Sequence, residues 1–125
     1  MEENEISGQI VDAAMKVHSA LVPGLLEPAY QACLAYELTK RGLHVDSQLD
    51  LPLKYDGLRL DVGYRIDLLV EHNVIVELKS VEKLLPIHEA QLLSYLRLSG
   101  QRLGLLINFN VLHLKDGIKR MVHDR

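Results

Sequence analysis

The chain has 125 residues, 48% of them apolar and 25% charged, with a formal net charge of −3. That is the composition of an ordinary soluble protein with enough chain for a real core, so residues 1–125 are expected to form one domain. Cys33 is the lone cysteine, which excludes an intrachain disulfide and fits a reducing cytoplasm, and the acidic start MEENEISGQI carries no signal peptide or membrane span. A negative balance weighs against the basic footprint of most phosphate-binding proteins, although carboxylates that hold a metal make a small domain look more acidic than its working surface.

Ile6 to Leu21 reads as a helix, with Ile6, Ile10, Ala13/Ala14 and Val17 at helical spacing, stopped by Val22-Pro23-Gly24. A second helix runs from near Leu26 to about Arg41, with Pro28 tolerated in its first turn and Gly42 ending it. The period then changes. Leu43 to Leu49 and Leu51 to Tyr55 read as strands, with Asp56-Gly57 as a turn, and Tyr64 to Val70 and Val74 to Lys79 are the clearest strands. Pro86 opens a third helix to about Ser99, closed by Gly100, and Arg102 to Phe109 is an apolar strand. His113 to Arg125 fits a short strand or a last helix. The order ααββββαβ predicts an α/β fold with a mixed sheet flanked by helices.

Three charges interrupt the two strongest strands: Asp67 in the first, Glu77 and Lys79 in the second. Burying an unpaired ion costs several kcal/mol, so charges inside Val/Ile/Leu runs need a common explanation. Side chains alternate along a strand, which puts Glu77 and Lys79 on one face with Leu78 turned away. If the hairpin loop is Glu71-His72-Asn73, with Asn73 left-handed, Val70 pairs with Val74 and Asp67 lies opposite Glu77. Their Cβ atoms would then be about 4.5–5.5 Å apart. A loop shorter by one residue would put them on opposite faces. Two such carboxylates repel unless a proton or cation sits between them, and Mg²⁺ or Mn²⁺ suits an oxygen-only donor set, with the Leu78 carbonyl as a further ligand. Lys79 would orient the attacking water or stabilise charge on phosphoryl oxygens. An ordinary carboxylate–lysine pair on a solvent-facing sheet is the plainer reading of so short a pattern. The apolar runs and the hairpin geometry weigh towards a site.

On the third helix Gln91 and Tyr95 are four residues apart and share a face with His88, which suits phosphate contact or the positioning of Lys79. The plainer alternative packs Leu92, Leu93 and Leu96 inward and leaves those polar residues in water. Glu27, in GLLEPAY, sits in a first helical turn, where a carboxylate caps free N–H groups or supplies a third acid to a metal. Tyr30 follows on the same helix, and His18 fits either a ligand or a partner for the end of the first helix.

Together these segments resemble the GxxExxY family of small bacterial proteins in the PD-(D/E)XK nuclease superfamily. The naming motif stands as Gly24, Glu27 and Tyr30, and the resemblance runs from about Ile10 to about Val122. It implies a restriction-endonuclease-like core, αβββαβ, here with an extra N-terminal helix. It implies metal binding by Asp67 and Glu77, joined by Glu27 as the acid of the preceding core helix, water activation by Lys79, and an exonuclease-type QxxxY motif at Gln91 and Tyr95. Ile66 and not proline precedes the strand Asp, a departure common in the superfamily, and Val22 stands where the family usually has glycine.

The leading expectation is Mg²⁺- or Mn²⁺-dependent hydrolysis of nucleic acid, DNA before RNA, with Arg97, Arg102, Lys115, Lys119 and Arg120 available to phosphates. A non-catalytic nuclease-fold binding or assembly module is the alternative. A homodimer or protein partner is expected to help hold substrate, and no membrane is expected to be involved.

Overall fold

In a computed structural model, residues 1–124 are described. Helix α1 spans Glu3–Leu21 and helix α2 Glu27–Lys40. The strands are β1 (Val45–Asp50), β2 (Leu53–Tyr55), β3 (Leu58–Leu60), β4 (Arg65–Val70) and β5 (Val74–Lys79). Helix α3 (Pro86–Ser99), β6 (Leu103–Asn108), a 3₁₀ turn (Leu114–Gly117) and β7 (Ile118–Val122) complete the chain. Five strands form one mixed sheet in the order β1-β4-β5-β6-β7, with β5 and β6 parallel and the other neighbours antiparallel. Omitting α1, the β2–β3 hairpin and β7 leaves the expected αβββαβ order.

Helices cover both faces of the sheet, which is why β5 and β6 are apolar on both sides. Ile6, Ile10, Ala13, Ala14 and Val17 of α1 and Tyr30, Leu34 and Leu38 of α2 pack on one face, over Leu68, Val70, Val76 and Leu78. Leu92, Tyr95 and Leu96 of α3 cover the other, over Leu69, Ile75 and Leu106. Gly104 lets α3 approach β6: a methyl group there would sit 2.9 Å from Leu92 Cδ1. Glu37, on the buried stripe of α2, is met by Lys16 Nζ at 2.8 Å and Lys40 Nζ at 3.6 Å.

Several sequence expectations need correction. Helix α1 begins earlier than Ile6, because acidic residues in the first turn suit the positive end of the helix. Leu51–Tyr55 does not extend the main sheet. β2 pairs with β3, which the sequence reading missed, through an Asp56-Gly57 turn with both residues at positive φ. The region after His113 is a 3₁₀ turn followed by a strand, so the strand alternative holds, and Arg125 lies outside the described residues. The β4–β5 loop has the expected length, since Val70 pairs with Val74, but Glu71 (φ 54) and His72 (φ 55) are left-handed, not Asn73. Two bonds between Glu71 and His44 impose this: His44 N–H donates to Glu71 Oε2 at 2.7 Å, and Glu71 N–H to His44 O at 2.8 Å.

Val22, which ends α1, has φ 56 and ψ 173, a conformation reached comfortably only by glycine. Three bonds hold the turn: Val22 N–H donates to His18 O (2.9 Å), Tyr30 Oη–H donates to Val22 O (2.6 Å), and Leu25 N–H donates to Tyr30 Oη (3.1 Å). Val22→Gly is expected to stabilise the protein by about 1 kcal/mol, the relieved strain exceeding the added freedom of the unfolded chain. The melting temperature should rise by about 3–6 °C. A variant that melts below the parent would show that the turn carries no such strain.

Candidate functional site

The site lies where the β4–β5 ladder opens. Regular pairing runs from Val70↔Val74 to Leu68↔Val76 and stops. Beyond it, carboxylates replace main-chain carbonyls as acceptors. Asp67 N–H donates to Glu77 Oε1 at 3.1 Å, and Leu78 N–H donates to Asp67 Oδ2 at 2.8 Å. Asp67 also marks a twist in β4: Ile66 packs under α3, whereas Leu68, two residues on, packs under α1 and α2. A regular strand would put both on one face. In β1, Gln48 lies across from Asp67 between the pairs Ser47↔Leu68 and Leu49↔Ile66, and it has φ 52.

Asp67 and Glu77 are therefore brought together, as the register argument expects. Glu77 is 5% exposed. Burial first, and the neighbouring Asp67 charge second, push its carboxyl up to about 9, against which the Asp67 N–H and Lys79 act only in part. A buried carboxyl that resists ionisation beside a second carboxylate is an oxygen-only donor set short of positive charge, and that fits a hard divalent cation.

Lys79 lies on the same side of β5 as Glu77, with Nζ 3.5 Å from Gln91 Oε1, and Gln91 Nε2 donates to Tyr95 Oη at 3.1 Å. The lysine, the amide and the phenol thus form a chain from β5 to α3. Tyr95 is buried, so the plainer reading that left it in water fails for this residue. Burial raises its phenol above the ordinary value, and the Glu77 and Asp67 charges add to that. His88 Nδ1 accepts Leu85 N–H at 3.0 Å, which makes it a cap of α3. With Gln91, Tyr95, Tyr64 and Arg97, His88 lines a cleft of about 550 Å³ on that side.

Glu27 is the first residue of α2 and lines a second cleft with Asp67, Gln31, Gln48 and Ser80. Gln48 Nε2 donates to Asp67 Oδ1 at 3.3 Å and to Gln31 Oε1 at 2.8 Å. Ser80 Oγ–H donates to Leu25 O at 2.5 Å, joining the end of β5 to the loop before Glu27. Sequence reasoning missed Gln31, Gln48 and Ser80. Gln31 alone had a signal, lying one helical turn beyond Glu27.

Tyr30 and His18 do not reach either cleft. Tyr30 is fully buried, stacked on Phe109 with ring centroids 4.6 Å apart, and acts by tying the turn that launches Glu27. His18, in the last turn of α1, has Nε2 2.7 Å from Val111 O, so its ring ties the helix to the segment after β6 and does not meet the end of its own helix. Of the five basic residues, Arg97 lines the α3 cleft, and Lys115 lines a separate hollow beside His18 and His113. Arg102 pairs with Glu3 and Asp124, Lys119 lies 3.9 Å from Glu89, and Arg120 donates to Asn4.

A family model described as the PD-(D/E)XK nuclease superfamily matches residues 4–121. No curated protein and no solved structure gives a significant match. Among the described residues, no helix is long and apolar enough to cross a membrane.

Proposed function

Because the chain belongs to the PD-(D/E)XK nuclease superfamily, we propose that residues 1–125 act as one nuclease domain that hydrolyses phosphodiester bonds in nucleic acid, DNA in the first instance, with Mg²⁺ or Mn²⁺. The observation that carries this reading is the meeting of the Asp67 and Glu77 carboxyls where the β4–β5 ladder opens, with Lys79 on the same side. The Gly24, Glu27 and Tyr30 motif supports placement in the GxxExxY family, and the free thiol of Cys33 fits work in a reducing cytoplasm.

Asp67 and Glu77 would hold the cation, with Glu27 facing the same cleft as Asp67. A divalent cation there supplies Lewis acidity to a phosphoryl oxygen and neutralises charge as the phosphorus is attacked. Lys79, steadied by Gln91, directs its ammonium at the attacking water or at the oxygens on which charge grows. Tyr95 fixes Gln91 from below. Arg97 gives the α3 cleft a phosphate contact. Tyr30 sets the position of Glu27 through the loop it closes.

One observation favours the alternative of a nuclease-fold module without turnover. The Asp67 oxygens and Glu77 Oε1 already accept protein hydrogen bonds, so the cluster is partly satisfied by itself. Incubating the pure protein with linear, circular and single-stranded DNA, and with RNA, in Mg²⁺ or Mn²⁺ separates the readings when paired with Mn²⁺ calorimetry. Cation-dependent cleavage that disappears on Asp67 substitution supports hydrolysis. Absence of Mn²⁺ binding would leave only the binding module.

A further inference from the structure

At the tip of the β4–β5 hairpin lies a second group of metal-competent side chains. His44 precedes β1, Asp46 is in β1, and His72 is in the hairpin turn. β1 is an edge strand, and its pairs Val45↔Val70 and Asp46↔Leu69 carry the tip of the hairpin to His44. The two hydrogen bonds between Glu71 and His44 fix that approach, and the left-handed backbone of His72 lays its ring over His44, with centroids 4.3 Å apart and an interplanar angle of 24°. Asp46 Oδ2 is 3.2 Å from His44 Nε2 and 3.8 Å from His72 Nδ1. One donor atom from each of the three residues lies within 4.8 Å of the others.

We propose that His44, Asp46 and His72 bind a transition-metal ion of the zinc type, leaving a fourth position to water. With metal–ligand bonds of about 2.0–2.2 Å, donors around a tetrahedral ion stand about 3.3 Å apart. The His44–Asp46 separation already meets this, while the 3.8 Å from His72 to Asp46 and the separation of the two imidazole donors, within 4.8 Å, close by rotation of the exposed His72 ring off its stack on His44. Two imidazoles with one carboxylate suit Zn²⁺, Co²⁺, Ni²⁺ or Cu²⁺, whereas the oxygen-only set at Asp67 and Glu77 suits Mg²⁺ or Mn²⁺. The two sites therefore differ in the ions they take. An ion at the hairpin tip would fasten the edge strand β1 to the hairpin that carries Asp67 and Glu77.

The test uses untagged protein carrying Asp67→Asn and Glu77→Gln, so that the other carboxylates contribute nothing and failure of the nuclease reading leaves the result intact. Zn²⁺ titration by calorimetry should show one saturable site per chain. Co²⁺ should give a visible ligand-field absorption band that Zn²⁺ displaces. Adding His72→Asn, which suits a left-handed backbone, or His44→Gln should weaken Zn²⁺ at least tenfold and remove the band, while melting in metal-free buffer stays near that of the parent. Saturable binding undiminished in both histidine variants, or no saturable Zn²⁺ binding in the parent, overturns the proposal.

Discussion

Asp67→Asn should lower Mn²⁺-dependent cleavage by at least about 10²–10³-fold, the usual cost of removing one preorganised electrostatic contact at a reacting phosphoryl group. Asparagine is the informative replacement because Asp67 has two separable roles. Its Oδ2 accepts the Leu78 N–H, a bond an amide oxygen can keep, while the negative charge beside Glu77 is lost. Alanine would also orphan the Leu78 N–H and mix a folding defect with the catalytic one. The loss should appear in Mn²⁺ affinity as well as in rate. Lys79→Met, by contrast, should lower kcat to a similar degree with Mn²⁺ affinity held, because the ammonium acts on the reacting atoms and not on the cation. Measuring kcat, KM and Mn²⁺ affinity for both variants checks the division of labour. Full activity in Asp67→Asn protein would end the case for hydrolysis at this site.

How much of this was legible in the sequence depends on whether a residue interrupts a pattern. Asp67, Glu77 and Lys79 stood out because each breaks an apolar strand, and the fixed alternation of side chains then gave their common side. The loop length followed from the same register. Its conformation did not, because Glu71 and His72 are held left-handed by His44, 27 positions before Glu71 in the chain but brought beside it by the β1–β4 pairing, and no local preference for Asn73 outweighs that clamp. Gln31 and Gln48 stayed hidden for a different reason. Polar residues at polar positions break no periodicity, yet their amides support Asp67. Tyr95 was ambiguous because helical spacing gives a stripe but not which part of the stripe faces the sheet. The β2–β3 hairpin was half seen: Asp56-Gly57 marked its turn, but three-residue strands carry too little alternation to show that they leave the main sheet.

Glu77→Gln should make the metal-free protein more stable and the metal-bound protein less so. In the fold the Glu77 carboxyl titrates at about 9, against an ordinary value of 4.5. Between those values the folded chain holds a proton that the unfolded chain has released. Stability from Glu77 is thus complete below the ordinary value and is lost as pH rises towards and through the folded one. Glutamine resembles the protonated acid and keeps an oxygen for the Asp67 N–H, so it escapes that loss. The variant should match the parent near pH 4.5 and exceed it by roughly 1–3 kcal/mol at pH 8 in chelator. Saturating Mn²⁺ reverses the order, because ligand at about 1,000 times its dissociation constant stabilises the parent by about 4.1 kcal/mol, more than the variant gains in chelator, and the variant has lost half of its carboxylate pair. Parent affinity for Mn²⁺ should climb about tenfold per pH unit from pH 6 to 8, since binding must displace one proton. Denaturant titrations of both proteins across pH, with and without Mn²⁺, read every arm of this cycle. A variant less stable than the parent at pH 8 in chelator would make Glu77 a structural partner of Lys79 or of the Asp67 backbone, and its buried charge would then have no need of a cation.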